Sequence, residues 1–167
     1  METRNVLPGD FDAIAEITKY YIAHTTIHFG YEPVTALELR HGWEKGAGRY
    51  PYLVAVDEAG AVIAYAKAGV WRERKAYERT AETAIYVRAG MGGKGVGTLL
   101  YKRLIEACRG AGLHVLTAGV TIPNEASVRL HLRCGFSPVG EFRQVGCKFG
   151  SWHDVAFFQM TLGGASG

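Results

Sequence analysis

The stretch Ala84-Ile85-Tyr86-Val87-Arg88-Ala89-Gly90-Met91-Gly92-Gly93-Lys94-Gly95-Val96-Gly97-Thr98-Leu99-Leu100 decides the fold. Ile85 and Val87 alternate with Tyr86, the period of a β-strand. Five glycines then fall between positions 90 and 97. Beyond them Leu99, Leu100, Leu104, Ile105 and Cys108 recur at helical spacing. The order is strand, glycine loop, helix. Glycines at a helix entrance let backbone N–H groups approach a ligand closely. The first turn of the helix adds unpaired N–H groups and the positive end of its dipole. Such a loop suits a pyrophosphate.

Gly90-Met91-Gly92-Gly93-Lys94-Gly95 fits the formal G-x-G-x-x-G pattern. A dinucleotide fold also needs an acid after the second strand. Here Thr121-Ile122-Pro123-Asn124 stands at that place. A P-loop needs Ser or Thr after its lysine, and Lys94 is followed by Gly95. A glycine turn without a ligand is the bland alternative.

The chain has 167 residues, 48% hydrophobic and 21% charged, which suits one globular domain with a full core. We expect that domain over 1–162 and a flexible tail over 163–167. A net charge of +3 is too small to argue for nucleic acid. Apolar runs are too short to span a membrane, and Met1-Glu2-Thr3-Arg4 opens no signal-peptide core, so a cytoplasmic protein is expected. Cys108, Cys134 and Cys147 are odd in number and widely spaced, which fits neither a disulfide framework nor a metal site. Buried or half-buried free thiols are expected, a cysteine nucleophile being the minor reading.

From the N-terminus, Arg4–Leu7 reads as a strand, and Asp10 as the N-cap of a helix running to about Ala23. The aromatic and hydroxyl-rich segment from Tyr20 to Phe29 is either core packing or the wall of a substrate pocket. Thr35 caps a second helix, Ala36 to Lys45. Tyr52–Val56 and Ala61–Val70 form a hairpin about Asp57-Glu58-Ala59-Gly60. Arg79–Val87 is the strand entering the glycine loop. Leu113–Val120 is the next strand, followed by an Asn124-led helix ending at Gly135-Phe136. Ser137–Lys148 and Val155–Leu162 are the last strands, with a turn at Phe149-Gly150-Ser151-Trp152.

This order resembles the GNAT N-acetyltransferases, whose acetyl-CoA loop reads Arg/Gln-x-x-Gly-x-Gly/Ala. Gly92-Gly93-Lys94-Gly95-Val96-Gly97 matches it at both glycines and departs at the first position, where Gly92 stands. Trp71-Arg72, Thr80-Ala81-Glu82, Asn124-Glu125-Ala126-Ser127-Val128-Arg129-Leu130-His131, Gly135-Phe136, Val145-Gly146-Cys147-Lys148-Phe149-Gly150 and Trp152-His153-Asp154-Val155 resemble the phosphinothricin acetyltransferase subfamily more closely. Those enzymes acetylate the α-amine of phosphinothricin or of methionine sulfone and sulfoximine.

The resemblance implies an α+β GNAT fold, a mixed twisted sheet of about seven strands flanked by about four helices. It implies acetyl-CoA as co-substrate, no metal, a small-molecule amine acceptor and a homodimer. Glu82 is then the candidate base, its alternative being an exposed strand carboxylate. His131 stands where many GNATs place a Tyr that serves the leaving thiolate; it either donates a proton there or packs as a structural histidine. Ile85, Tyr86 and Val87 offer backbone groups to the acetyl-pantetheine arm, the Val87 N–H as oxyanion donor. Gly92, Gly93, Lys94, Gly95, Val96, Gly97 and Thr98 form the pyrophosphate loop. Asn124, an N-cap in any case, and Ser127 face the same groove. Arg72 is preferred over Arg74 for the acceptor's carboxylate or phosphinate, and Phe29 is taken as pocket wall. An acceptor of another kind (polyamine, aminoglycoside, protein N-terminus) and a silent acyl-CoA-binding module are the rival readings.

Overall fold

The computed structural model describes residues 1–163; residues 164–167 of the expected tail lie outside the described residues. The elements are β1 (Glu2–Asn5), a 3-10 turn (Pro8–Asp10), α1 (Phe11–His24), α2 (Ala36–Gly46), β2 (Tyr52–Val56), β3 (Val62–Val70), β4 (Thr80–Val87), α3 (Val96–Gly110), β5 (Val115–Ile122), α4 (Glu125–Arg133), β6 (Ser137–Lys148) and β7 (Ser151–Thr161). The seven strands form one sheet in the order β1-β2-β3-β4-β5-β7-β6. Only β4 and β5 run parallel, because α3 must carry the chain back across the sheet before β5 begins.

Alternation divides β2, β3 and β4 between two cores. Leu53, Ala55, Ala64, Ala66, Ile85 and Val87 turn to one face, where α3 lays Val96, Leu100, Leu104, Ile105 and Cys108 on them. Tyr52, Val54, Val56, Tyr65 and Tyr86 turn to the other, against Phe11, Ile14 and Ile17 of α1 and Leu39 and Trp43 of α2. The sheet is therefore covered on both sides, as the length of its apolar runs requires.

Three boundaries differ from the sequence reading. The first strand lies at Glu2–Asn5, because Leu7 is drawn into the turn: its N–H donates to Asp10 Oδ2 at 2.7 Å. The Asp10 carboxylate also takes two hydrogen bonds from Arg4, at 2.7 and 2.9 Å, and makes no cap bond to α1. The fifth strand starts at Val115, since the Leu113 N–H still closes α3 on the Cys108 carbonyl at 3.1 Å. The last strand starts at Ser151: Phe149 and Gly150, both at positive φ (51° and 72°), turn the hairpin in two residues. Thr35 does cap α2, in a reciprocal box with Glu38. Cys147 is exposed, whereas Cys108 is buried and Cys134 half-buried.

Candidate active site

The site begins at a split in the sheet. β4 and β5 pair only over Thr80–Glu82 against Val115–Thr117. Beyond Glu82 they diverge, and β5 continues to Ile122 against β7 alone. The Arg88 N–H donates to the Ile63 carbonyl of β3 at 2.8 Å. Strand alternation therefore turns the amide groups of Ile85 and Val87 the other way, into the gap. There they have no strand partner, an edge onto which an extended amide chain can pair. The Tyr21 hydroxyl reaches the same edge from α1 and donates to the Val87 carbonyl at 2.6 Å.

On the α3/α4 side the gap opens into a groove of about 380 Å³. Gly92, Gly93, Gly95, Val96, Gly97 and Thr98 line it, with Ile85 and Val87 from β4 and Asn124, Ser127, Arg129 and Arg133 from the next helix. Gly93 and Gly95 sit at φ +79° and +80°, a conformation only glycine holds without strain. Gly97 lies where α3, α4 and β4 meet; a Cβ there would stand 3.6 Å from both Leu130 and Val87. Gly95 precedes the first turn of α3 without a side-chain cap, so that turn's N–H groups face the groove. Glycine backbone, helix start and two arginines suit a pyrophosphate with further phosphate. The residues present thus fit a coenzyme A arm.

The opposite side of the gap is a larger cavity of about 760 Å³. Its floor is the other face of the sheet: Tyr65, Lys67 and Gly69 of β3, Glu82, Ala84 and Tyr86 of β4, Gly119 and Thr121 of β5. The β3–β4 register sets Gly69 against Glu82 and Ala84 against Lys67. Each charged residue therefore faces a small one, which leaves room above both. Burial pushes the Glu82 carboxyl above its ordinary 4.5, opposed by the nearby Lys67 charge. Burial lowers the Lys67 ammonium, Glu82 opposing. Such a carboxylate can take a proton from an amine near neutral pH.

Ile27, His28 and Phe29 of the α1–α2 connection form the cavity wall. That wall is tied down by Lys148, only 1% exposed. Its ammonium donates to the carbonyls of Ile22, Thr25 and His28 at 2.6, 2.8 and 2.5 Å. The Tyr31 hydroxyl donates to the Cys147 carbonyl beside it. Phe29 crosses the hairpin at Gly146, where a Cβ would fall 2.2 Å from its ring.

The expected site residues separate accordingly. Ile85, Val87, Gly92, Gly93, Gly95, Val96, Gly97, Thr98, Asn124 and Ser127 come together in the groove. Lys94 does not line it, and Tyr86 faces the cavity instead, one residue out of phase with Ile85 and Val87. Asn124 caps α4 by accepting the Ser127 N–H at 3.1 Å. Glu82 and Phe29 line the cavity. Arg72 and Arg74 are exposed and line neither space; the Arg72 guanidinium lies over the Trp71 ring at 4.9 Å.

Of the two readings of His131, the structure fits the packed histidine and not the proton donor. It is 4% exposed, stacks on Phe158 and meets Tyr101 and Phe136 edge-on. Its Nδ1–H donates to the Ser127 carbonyl at 2.7 Å. It lines neither the groove nor the cavity, so the packing makes it a core histidine. Lys67, Tyr65, Tyr21 and Lys148 were missed. A lysine inside Val62–Val70, an otherwise uncharged strand, was the available signal for the first; Tyr21 lay in the aromatic Tyr20–Phe29 segment and Lys148 in the Val145–Gly150 motif, and Tyr65 carried none.

Residues 15–136 match the Acetyltransferase (GNAT) family. The chain is 40% identical over 164 residues to a phosphinothricin N-acetyltransferase of Streptomyces coelicolor, covering 94% of this chain and 95% of that one. It is 41% identical over 156 residues to an L-methionine sulfoximine/L-methionine sulfone acetyltransferase of Pseudomonas paraeruginosa, covering 92% and 90%. A putative acetyltransferase from Salmonella typhimurium, solved with its cofactor acetyl-CoA, superposes with a TM-score of 0.94 at 35% identity, covering 99% and 96%. The chain belongs to the GNAT family and is an acetyltransferase of it.

Proposed function

We propose that this protein moves acetyl from acetyl-CoA to the α-amine of a small amino acid or analogue of the phosphinothricin, methionine sulfone or methionine sulfoximine type. One observation carries the reading: Glu82 lines the cavity that lies on the other face of the sheet from the glycine groove, with the β4–β5 gap between them. The groove suits the phosphates, and the free amides of Ile85 and Val87 suit the pantetheine arm. A thioester held on that edge meets an amine that enters from the cavity. Glu82 takes the ammonium proton, and the Val87 N–H faces the charge that builds on the thioester oxygen. The relatives named above act on such amino acid analogues. A polycationic acceptor fits less well, because Lys67 shares the cavity with its one acid. Arg72 and Arg74 serve the acceptor only if their loop moves inward.

We assign the protein to the cytoplasm as a homodimer, the latter on apolar side chains exposed along β6 and β7. Among the described residues no helix is long and apolar enough to cross a membrane.

The test is CoA release from acetyl-CoA across a panel of phosphinothricin, methionine sulfone, methionine sulfoximine, common amino acids and spermidine. Glu82→Gln is expected to cut kcat/KM roughly 100- to 10,000-fold. The wild-type rate rises with pH along a limb above the ordinary 4.5, since the base works unprotonated. That limb is absent from the variant. Turnover of spermidine alone, or an undiminished Glu82→Gln, contradicts the assignment.

A further inference from the structure

The acceptor cavity holds two opposite charges that do not touch. Lys67 and Glu82 line it from the same face of the sheet. The β3–β4 register makes them diagonal neighbours, roughly 7–8 Å apart between their backbones. Each charge favours the other. Yet no ion pair joins them, and among the described residues neither side chain makes a hydrogen bond. The Lys67 ammonium lies instead 5.8 Å from the centre of the Tyr52 ring, directly across on β2. An aromatic face orients a cation without cancelling its charge. Gly69 stands against Glu82 and Ala84 against Lys67, so the space above the two charges is open.

An α-amino acid carries the complementary pair of charges on one carbon. Its ammonium must meet Glu82 to lose a proton. Its carboxylate then lies beside the amine and needs a cation, because a charge in a partly apolar cavity calls for an opposite one. Among the described residues Lys67 is the one lysine or arginine lining the cavity, and Glu82 the one carboxylate. Lys148, behind the wall, has its protons committed to three carbonyls. Burial holds His28 toward its neutral form, and the Lys148 and Lys67 charges add to the effect. Arg72 and Arg74 line neither the cavity nor the groove.

We infer that Lys67 binds the α-carboxylate of the acceptor, so that the zwitterionic head of an amino acid lies between the two side chains, amine on Glu82 and carboxylate on Lys67. This rests on the acetyltransferase reading of the preceding section. Lys67 then selects for a free α-carboxylate and is blind to the acceptor's side chain, phosphinate or sulfone alike. An amine whose carboxylate is masked or missing leaves the ammonium unpaired. A polyamine adds a second cation beside it.

The experiment measures kcat/KM for methionine sulfone and phosphinothricin, each beside its own α-carboxamide, on the alkaline plateau, in wild type, Lys67→Met and Lys67→Arg. Comparing the acid-to-amide ratio between enzymes cancels the different basicity of the two amines. The wild type is expected to favour both free acids. Lys67→Met should lower the acid-to-amide ratio about 10- to 100-fold, the size of a charge-assisted contact, and by similar factors for the two side chains. Lys67→Arg, which keeps the charge, should restore much of it. Losing Lys67 also removes a charge that holds the Glu82 carboxyl down, but this moves the pH limb for acid and amide alike and leaves their ratio on the plateau unchanged. A wild type indifferent to amidation overturns the contact whether or not the variants fold. So does a folded Lys67→Met that loses acid and amide equally, or loses neither. A ratio that survives Lys67→Met and collapses in Arg72→Met gives the carboxylate to Arg72 instead. In each of these cases the acetyltransferase reading stands. A wild type that acetylates neither amino acid overturns both.

Discussion

At the scale of single residues, His131 separates what a motif suggests from what packing permits. The resemblance offers its position before Gly135-Phe136 as a catalytic place, and a linear sequence shows only that match. Which way the ring points depends on Tyr101, Phe136 and Phe158, which come from three other segments. Burial lowers its pKa from the ordinary 6.5, the bond to Ser127 opposing. The sign of the consequence is fixed. The unfolded chain binds a proton below about 6.5 that the folded ring resists, so this contribution is fully present above 6.5 and is lost as pH falls through the window beneath it. Melting temperatures taken across that window should therefore drop toward acid. His131→Phe should flatten the drop while retaining most of kcat, with the residual slope coming from His28, which burial also lowers. A collapse of kcat at unchanged stability would restore the proton-donor role. Glu82 entered through the resemblance; strand alternation adds that it shares the Tyr86 face, opposite Ile85 and Val87.

At the scale of elements, the strand–loop–helix unit could be read locally because each part is made by neighbours in sequence. The β4–β5 gap could not. It depends on pairing that stops after three residues between strands joined through fifteen residues of α3. The acceptor wall was equally hidden, since its anchor comes from the far end of the chain. Lys148 on β6 holds the carbonyls of Ile22, Thr25 and His28, more than a hundred residues earlier. Replacing it by Met removes the cation and orphans three carbonyls in one step. We expect a loss of roughly 2–4 kcal/mol of stability. The surviving folded enzyme should show a raised KM for the acceptor and a smaller change in KM for acetyl-CoA, because of the anchored wall only Ile27 also lines the glycine groove. Steady-state kinetics with each substrate varied in turn, beside thermal melts, check this. An equal rise in both constants would mean that the loop supports the whole site. Gly146, which makes room for the Phe29 ring, belongs to the same joint.

At the scale of the molecule, the β6–β7 hairpin is the least covered part of the sheet. It forms the sheet's end, with β6 paired only to β7. Val139, Phe142, Val145, Phe149 and Trp152 along it are each more than half exposed. Isolated exposed apolar residues are ordinary, but five on one hairpin make it the surface of this molecule best suited to pair with another protein. The same hairpin supplies Val145, Val155 and Phe157 to the acceptor cavity. A second copy seated on this patch would therefore bear on the cavity, linking assembly to acetylation. The expected solution mass is twice the 18.2 kDa of the chain. Phe149→Glu with Trp152→Glu puts like charges at the centre of the patch without touching the groove, the gap or Glu82. Sedimentation should then show a monomer, and acceptor KM should rise as the hairpin loses its support. A wild type that sediments as a monomer at assay concentration would leave the patch to some other partner. A double variant that is monomeric yet fully active would show that each cavity is complete within one chain.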